Sequence, residues 1–430
     1  MYEKLQAYKE AGKAIRVGAA GAGWMGSGFI AAVKHVPGME VSILADEDPG
    51  LARKVLIEEG GISPEDIVET DTPGKAADAV LKGKRVITGD ITLASKTGPI
   101  DIVTDVTPSP ASGAETAFAA IRNGKPVVLI NIEADVTVGP ALKKHAAKAG
   151  VMYTVSSGDE PGCLMELWDF VRCLGYEPIV IGKGKNNPMN PDATPDTVRE
   201  SARKADKDPF QVASYVDGTK TMFEMSCVAN ATGCRPMQPG MTGPEADTNT
   251  ITEIFALKED GGMTPFPGVV DFVQGSAMSG GVFITVRIPD QRIQADLRYL
   301  KVGKRNYSTF FRPYHLWFLE APISIARAFF YEEETLVPLD KPVADPAAVA
   351  KADLSPGTRL DAFGGYTFFG RMDTKENCVT ANALPVGLAP GAKIVKHVTK
   401  GEIITWDDVE LDESSTIVKL RREQDTSQQL

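Results

Sequence analysis

Residues 15–28 read IRVGAAGAGWMGSG, and this stretch decides the fold. Residues 15–20 read as a buried strand. The strand runs into Gly21, Ala22, Gly23, Trp24, Met25 and Gly26, and a helix-like segment, 29–35, follows. Three glycines at this spacing are a weak signal alone. A strand before them and a helix after them are the context in which the spacing means a dinucleotide-binding loop. Gly21 permits the tight turn, Gly23 lets backbone approach a pyrophosphate, and Gly26 lets helix and strand pack closely. The helix N-terminus then offers unpaired N–H groups to the phosphates. The alternative is a glycine-rich turn that binds nothing.

Working outward, a second strand at 40–45 ends in Asp46, 20 residues after Gly26. A carboxylate there accepts bonds from the adenosine ribose hydroxyls and repels a 2′-phosphate, which favours NAD. Arg53, one or two turns into the next helix, keeps NADP open, and a solvated loop acid is the plain reading of Asp46. Residues 101–107 (DIVTDVT) form the next strand, and Pro108-Ser109-Pro110 leads into a helix at 113–123. Strand 127–130, helix 140–149 and strand 151–155 complete the pattern. Strands alternating with helices imply right-handed crossovers and a parallel sheet. Ligands bind at the carboxyl ends of such strands, so Thr107, Pro108, Asn131 and Glu133 fall near a nicotinamide. Glu133 is either catalytic or a helix N-terminal acid.

The chain has 430 residues, enough for two or three domains at about 150 residues each. Hydrophobic residues make up 43% and charged residues 24%, the balance of a folded soluble protein rather than a disordered or membrane one. A net charge of −11 excludes a surface built to gather nucleic-acid phosphates or an anionic membrane. Five cysteines without short CxxC pairs fit reduced thiols. The start, MYEKLQAYKEAGK, lacks the apolar core of a signal peptide. Tyr2, Leu5 and Tyr8 at helical spacing predict a short helix packed on the first domain. These features point to a cytoplasmic enzyme.

The second domain carries two polar clusters. Residues 178–182 read as a strand leading to Lys183, Gly184, Lys185, Asn186 and Asn187. This cluster suits a substrate hydroxyl, carbonyl or phosphate; a solvated surface turn is the alternative. Farther on, Asp217, Lys220 and Glu224 stand at i, i+3 and i+7, on one face if the segment is helical. Reduction of a carbonyl needs a proton donor and a group that stabilises the developing alkoxide. A lysine serves both, and a neighbouring carboxylate orients it. An exposed ion-pair face is the alternative. Lys301, Lys304 and Arg305 form a basic run that could hold a phosphate or merely face water. Arg312 and His315 precede an apolar helix at 316–330 and are candidate substrate residues, although His315 reads equally as a core histidine.

Beyond Pro338 the composition turns rich in proline and alanine, a boundary signal. Residues 352–361 (ADLSPGTRLD) and 397–405 (HVTKGEIIT) resemble each other. They predict a compact β-rich unit, and residues 421–430 read as disordered.

LINIEADVTVGP (129–140), SSGDEPGCLMELWDFVRCLGYE (156–177), GKGKNNPMNPDATPD (182–196), SYVDGTKTMFEMSCVANATG (214–233), RPYHLWFLEAPISIARA (312–328) and FGGYTFFG (363–370) narrow the reading. With the glycine loop, they resemble the homoserine-dehydrogenase-like NAD(P)-dependent oxidoreductases that carry a C-terminal SAF domain. That group includes the 1-deoxy-D-xylulose 5-phosphate reductoisomerase-like reductases. The resemblance covers nearly the whole chain. It implies a Rossmann domain at 1–157, an α+β substrate and oligomerisation domain at 158–345, and a small SAF-like β domain at 346–430. It also implies NAD or NADP as cofactor, a small polyhydroxylated substrate, with or without a phosphate, and a homo-oligomer. A rearrangement of the carbon skeleton would add a divalent metal held by Asp217 or Glu224. Homoserine dehydrogenase activity and a catalytically silent dinucleotide sensor are the competing readings.

Overall fold

The computed structural model describes residues 1–428. The chain forms two compact units, each assembled from separated stretches. The first comprises 1–162, 316–340 and the chain from Ser414 onward; the second comprises 163–315 and 341–413. This interleaving differs from three consecutive domains bounded near 157 and 345, because the chain leaves each unit and later returns to it.

The first unit is a seven-stranded sheet of β1 (Ile15–Ala20), β2 (Met39–Ala45), β3 (Ile67–Glu69), β4 (Arg85–Thr88), β5 (Ile102–Asp105), β6 (Val127–Leu129) and β7 (Tyr153–Val155). Its order is β3-β4-β2-β1-β5-β6-β7, and every pairing is parallel. This is the Rossmann-like α/β arrangement that the glycine loop predicts. β3 and β4 were not legible in the sequence, since three- and four-residue strands have too few positions to show a period. The N-terminal helix Tyr2–Glu10 buries Leu5 and sets Tyr8 against Phe329 and Phe330.

One helix runs from Ile132 to Ala149, eight residues longer than the 140–149 expected, with Pro140 inside it. Proline there removes an N–H from the ladder. The helix Thr416–Gln428 answers beside it: Arg421 Nη1 donates to Thr137 O at 3.2 Å, and Ala141 N donates to Gln424 Oε1 at 3.2 Å. Arg421 is only 2% exposed. The expectation of disorder at 421–430 is therefore overturned through Gln428; residues 429–430 lie outside the described residues. The helix expected at 316–330 is also different. A short 3-10 turn, Trp317–Leu319, comes first, and the helix spans Ala321–Tyr331.

The second unit has a five-stranded sheet of β8 (Glu177–Gly184), β9 (Val269–Val273), β10 (Val282–Arg287), β11 (Gly303–Lys304) and β12 (Tyr307–Arg312), in the order β11-β12-β10-β8-β9. Only β8 and β9 are parallel. The helix Thr219–Thr232 lies on this sheet and is buried almost all round. A helix apolar and buried on every side needs cover on both faces. Met222, Met225 and Val228 pack with Ile181, Val270 and Ile284 of the sheet, and the same core includes Ala344 and Met372. Those last two belong to the antiparallel pair β13 (Ala344–Ala350) and β14 (Phe368–Thr374), which supplies the second cover. Ala344 and Met372 thus join the stretch 341–413 to the core of the second unit.

The two similar segments near the C-terminus are related by a local pseudo-twofold. Leu354 and Val398 exchange both backbone hydrogen bonds, at 2.8 and 3.0 Å. Gly357 N donates to Ile394 O and Gly401 N to Ala350 O, each at 2.8 Å. The bridges Arg359–Lys393 and Val349–Ile403 are likewise equivalent. Gly357 and Gly401 stand at φ +94° and +87°, conformations that favour glycine, which explains why both copies keep it. A last pair, β15 (Lys393–Ile394) and β16 (Val409–Glu410), closes this module. Among the described residues, no helix is long and apolar enough to cross a membrane.

Candidate active site

The glycine loop joins β1 to the helix Trp24–Val33. Each glycine has its own reason. Gly21 sits at φ +106°, and a Cβ on it would lie 3.0 Å from the Thr107 side chain. A Cβ on Gly26 would fall 2.1 Å from Gly21 O, so loop and helix approach closely there. A Cβ on Gly23 would meet no protein atom within 4 Å. Protein packing therefore does not demand glycine at 23. Gly23 is the N-cap of the helix and lends no side chain, and no acidic residue occupies the first turn. Among the described residues, no side chain caps this helix N-terminus, and the space in front of Gly23 is open on the protein side, the setting in which a helix start can hold an anion.

Asp46, at the end of β2, is not a merely solvated acid. Its Oδ2 accepts from Ala22 N at 2.7 Å and its Oδ1 from Asp48 N at 3.0 Å. It braces the glycine loop from the β2 side, and each oxygen keeps a lone pair for a further donor. Arg53 is bound to Glu69 at 3.4 Å. Met25 packs partly buried on the first unit's core, and Trp24 is 43% exposed.

On the other side of β1, Asp105 at the end of β5 is fully buried. Its carboxylate accepts from Thr107 N and Oγ1, Asn131 Nδ2, Ser112 Oγ and Thr116 Oγ1 at 2.7–3.1 Å. Burial pushes this carboxyl up, against the pull of these bonds. The network fixes Thr107 beside Gly21 and leaves Pro108 exposed. Asn131 also bonds Thr107 O at 2.9 Å and Ser109 O at 2.8 Å, and it caps the following helix by accepting from Ala134 N. Glu133, in that helix's first turn, is therefore not its capping residue, although its charge suits the helix dipole.

In the second unit, Gly182 and Gly184 pin the end of β8. A Cβ on Gly182 would lie 2.0 Å from Asp271 O, and one on Gly184 would lie 1.7 Å from Met278 O. Between and beyond them, Lys183 and Lys185 are buried, at 7% and 5% exposure. Lys183 lies in β8, and Lys185 follows its last residue. Lys183 Nζ pairs with Glu224 on the helix Thr219–Thr232, and Lys185 Nζ donates to Tyr215 O. Asn186 is exposed beside Gly280.

The expected common face of Asp217, Lys220 and Glu224 is not what the structure has. Asp217 precedes the helix, in the joint after Pro209–Val216. Its partner is Lys351, at 2.7 Å, while Glu224 pairs with Lys183. Only Lys220, half-buried, and Glu224 are on one helix, at i and i+4. Sequence reasoning missed Lys351 altogether, because 134 residues separate it from Asp217 and nothing local marks it. Burial raises the Asp217 carboxyl, with Lys351 and the Thr219 N–H pulling it back. Both carboxylates lie against buried ammonium groups, so neither fits as a ligand for a divalent ion.

Arg312 Nη1 bonds Glu166 Oε2 at 3.0 Å and stacks on Tyr314, and His315 Nδ1 lies 2.8 Å from Gly280 O. The basic run is committed locally: Lys304 bonds Asn249 O, and Arg305 bonds Asp260 O at 3.0 Å.

Residues 158–321 match the family described as "Oxidoreductase DRL, catalytic domain". The chain is an oxidoreductase. Its matched stretch includes β8, Lys183, Lys185, the helix Thr219–Thr232, Arg312 and His315. A search of curated proteins finds no match. Among solved structures, a scyllo-inositol dehydrogenase from Lactobacillus casei with NAD(H) and scyllo-inositol is 12% identical, over 76% of this chain and 92% of that one, at a TM-score of 0.42. An oxidoreductase from Agrobacterium radiobacter with NAD+, L-tartaric acid and magnesium is 17% identical over 40% and 45%, at 0.29. A DOX-P reductoisomerase with magnesium is 16% identical over 50% and 56%, at 0.35. The Rossmann assignment rests on the chain's own strand order rather than on these scores.

Proposed function

We propose that the oxidoreductase uses NAD(P) to reduce or oxidise a small polyhydroxylated carbonyl compound, in the manner of the reductoisomerase-like reductases. The observation that carries the cofactor reading is the open cradle at Gly23, in front of an uncapped helix N-terminus. Asp46 on the adenosine side, with Arg53 already bound to Glu69, favours NAD over NADP. When bound, the nicotinamide supplies or accepts the hydride.

The second unit brings the proton chemistry. Lys185 and Lys220 deliver or take the proton at the reacting oxygen and stabilise its negative charge. Glu224 acts at one remove, through Lys183, two residues before Lys185. Asp217 fixes the start of the helix that carries Lys220. Asn186, Arg312 and His315 belong to the substrate side, and Thr107, Pro108 and Glu133 to the nicotinamide side.

The same reading makes the pseudo-twofold module at the C-terminus SAF-like, supported by its duplicated glycine turns. It takes the chain to be a cytoplasmic homo-oligomer, the placement supported by the five free cysteines.

Oxidation or reduction of the nicotinamide, followed with a panel of polyols, sugar phosphates and homoserine, tests the substrate class. Lys220→Ala is expected to cut turnover by at least about 10²-fold while NAD(P)H affinity holds. Near-normal turnover in that variant removes Lys220 from the mechanism. Turnover confined to homoserine overturns the substrate reading.

A further inference from the structure

The chain comes back to the first unit at Leu316 and makes the turn Trp317–Leu319. Trp317 stands at φ +48°. A bulky residue in the left-handed region is strained. Such strain persists where the surroundings over-determine it, and it gathers at functional sites.

Two glycines are shaped to this turn. Trp317 N donates to Gly158 O at 2.7 Å, and a Cβ on Gly158, itself at φ +103°, would fall 1.8 Å from Trp317 O. Phe318 fills the space above Gly28, where a Cβ would lie 2.2 Å from its ring. The turn sets the Trp317 indole edge-on to Trp24, with centroids 5.3 Å apart at 67°, and Phe318 5.8 Å from Trp24. Trp24 is the first residue of the glycine-loop helix, immediately after the open Gly23. Both indoles keep broad exposed surface, 43% for Trp24 and 37% for Trp317.

The side of the sheet matters. The two halves of a dinucleotide lie on either side of the central crossover. Asp46 ends β2, on one side of β1. Gly158 follows β7, on the other side, beyond β5 and β6. Trp317 is anchored there, on the half opposite to the adenosine.

We infer that Trp24 and Trp317 form an aromatic wall for the nicotinamide end of the dinucleotide, and that the strained turn serves to place it. This rests on the NAD(P) reading above. Stacking against an aromatic side chain accounts for about a tenfold change in affinity per ring.

Trp317→Asn removes the ring and keeps a residue that tolerates the left-handed backbone. Trp24→Ala removes the other ring and leaves the turn's own residues and backbone bond to Gly158 in place. Calorimetric titration with NADH and with ADP separates the two ends of the ligand, since ADP lacks the nicotinamide. Both variants are expected to bind NADH about tenfold more weakly and ADP unchanged, with weaker quenching of indole emission by NADH. Unchanged NADH affinity, or equal loss for NADH and ADP, overturns the wall. Should Trp317→Asn fail to fold, Trp24→Ala decides. NADH binding by the unaltered chain that both variants leave unchanged refutes the wall alone; an unaltered chain that binds neither NADH nor NADPH refutes the cofactor reading and the wall with it.

Discussion

Lys351 Nζ lies 2.7 Å from Asp217 Oδ2, and its two remaining protons go to Ala193 O at 2.7 Å and Gly365 O at 2.9 Å. The ammonium is thus fully used, with its side chain 2% exposed and that of Asp217 not exposed at all. It ties the C-terminal β module to the joint in front of the helix Thr219–Thr232. Removing one partner of such a pair strands a buried charge, at a cost of about 3–5 kcal/mol. Lys351→Met should lower the urea midpoint accordingly, and the Lys351→Met/Asp217→Leu double variant should recover part of the loss. Equal midpoints for Lys351→Met and the unaltered chain would show that the pair carries no such role.

Gly23 and Gly26 make opposite demands, and alanine separates them. Gly23→Ala adds a methyl that meets no protein atom within 4 Å, at φ −66°, where alanine is unstrained. The unfolding midpoint should hold or rise slightly, since alanine restricts the unfolded chain. Dinucleotide affinity should fall at least about tenfold, because the methyl fills the cradle. Gly26→Ala instead drives a Cβ to 2.1 Å from Gly21 O and should destabilise the unit itself. Thermal melts with and without NADH distinguish the two. Full NADH affinity in Gly23→Ala would mean that the cradle is not the phosphate site.

How much of this was legible follows from range. The glycine loop, Asp46 and β5 are local patterns, so the first unit could be read from residues 15–46 and 101–131. The buried lysines 183 and 185 were visible as a polar cluster at a strand end. What paired with them was not: Glu224 is 41 residues from Lys183, and Lys351 is 134 from Asp217. Helical spacing suggested that Asp217, Lys220 and Glu224 serve one another, whereas distant cations had already claimed the two acids. The tail failed for a related reason. Arg421 and Gln424 are polar and read as solvated, yet they are buried, at 2% exposure each, on a helix that also buries Ile417, Val418 and Leu420.

Asp105 makes stability depend on pH in a stated direction. Burial lifts its carboxyl above the ordinary carboxylate range, opposed by Asn131, Thr107 and Thr116. A carboxyl with a higher pKa folded than unfolded binds more proton in the folded state between the two values. Its contribution is present below the unfolded value and is lost as pH rises through the folded one. Asp105→Asn does not titrate and misplaces a donor among donors, costing about 1–3 kcal/mol. The stability gap between the two proteins should therefore narrow as pH rises from the ordinary carboxylate range. Urea unfolding at a series of pH values measures it, and a gap that widens contradicts the direction given.

The helix Thr416–Gln428 should prove integral to the first unit. Pro140 interrupts the donors of the helix Ile132–Ala149, and on either side of it Arg421 satisfies Thr137 O while Gln424 accepts from Ala141 N. Glu423 adds a contact to His145 at 2.8 Å. Arg421→Met keeps the apolar stem but removes the donors, leaving the buried Thr137 O short of this partner and breaking the pair with Asp425. Such a loss costs about 1–3 kcal/mol. Gln424→Leu should cost less, since Ala141 N is a neutral donor. If the helix Ile132–Ala149 positions Asn131 and Glu133 at the nicotinamide side, Arg421→Met should also raise its local hydrogen exchange, beginning near Pro140. Exchange raised only in the C-terminal helix itself would mean that the tail decorates the unit without supporting it.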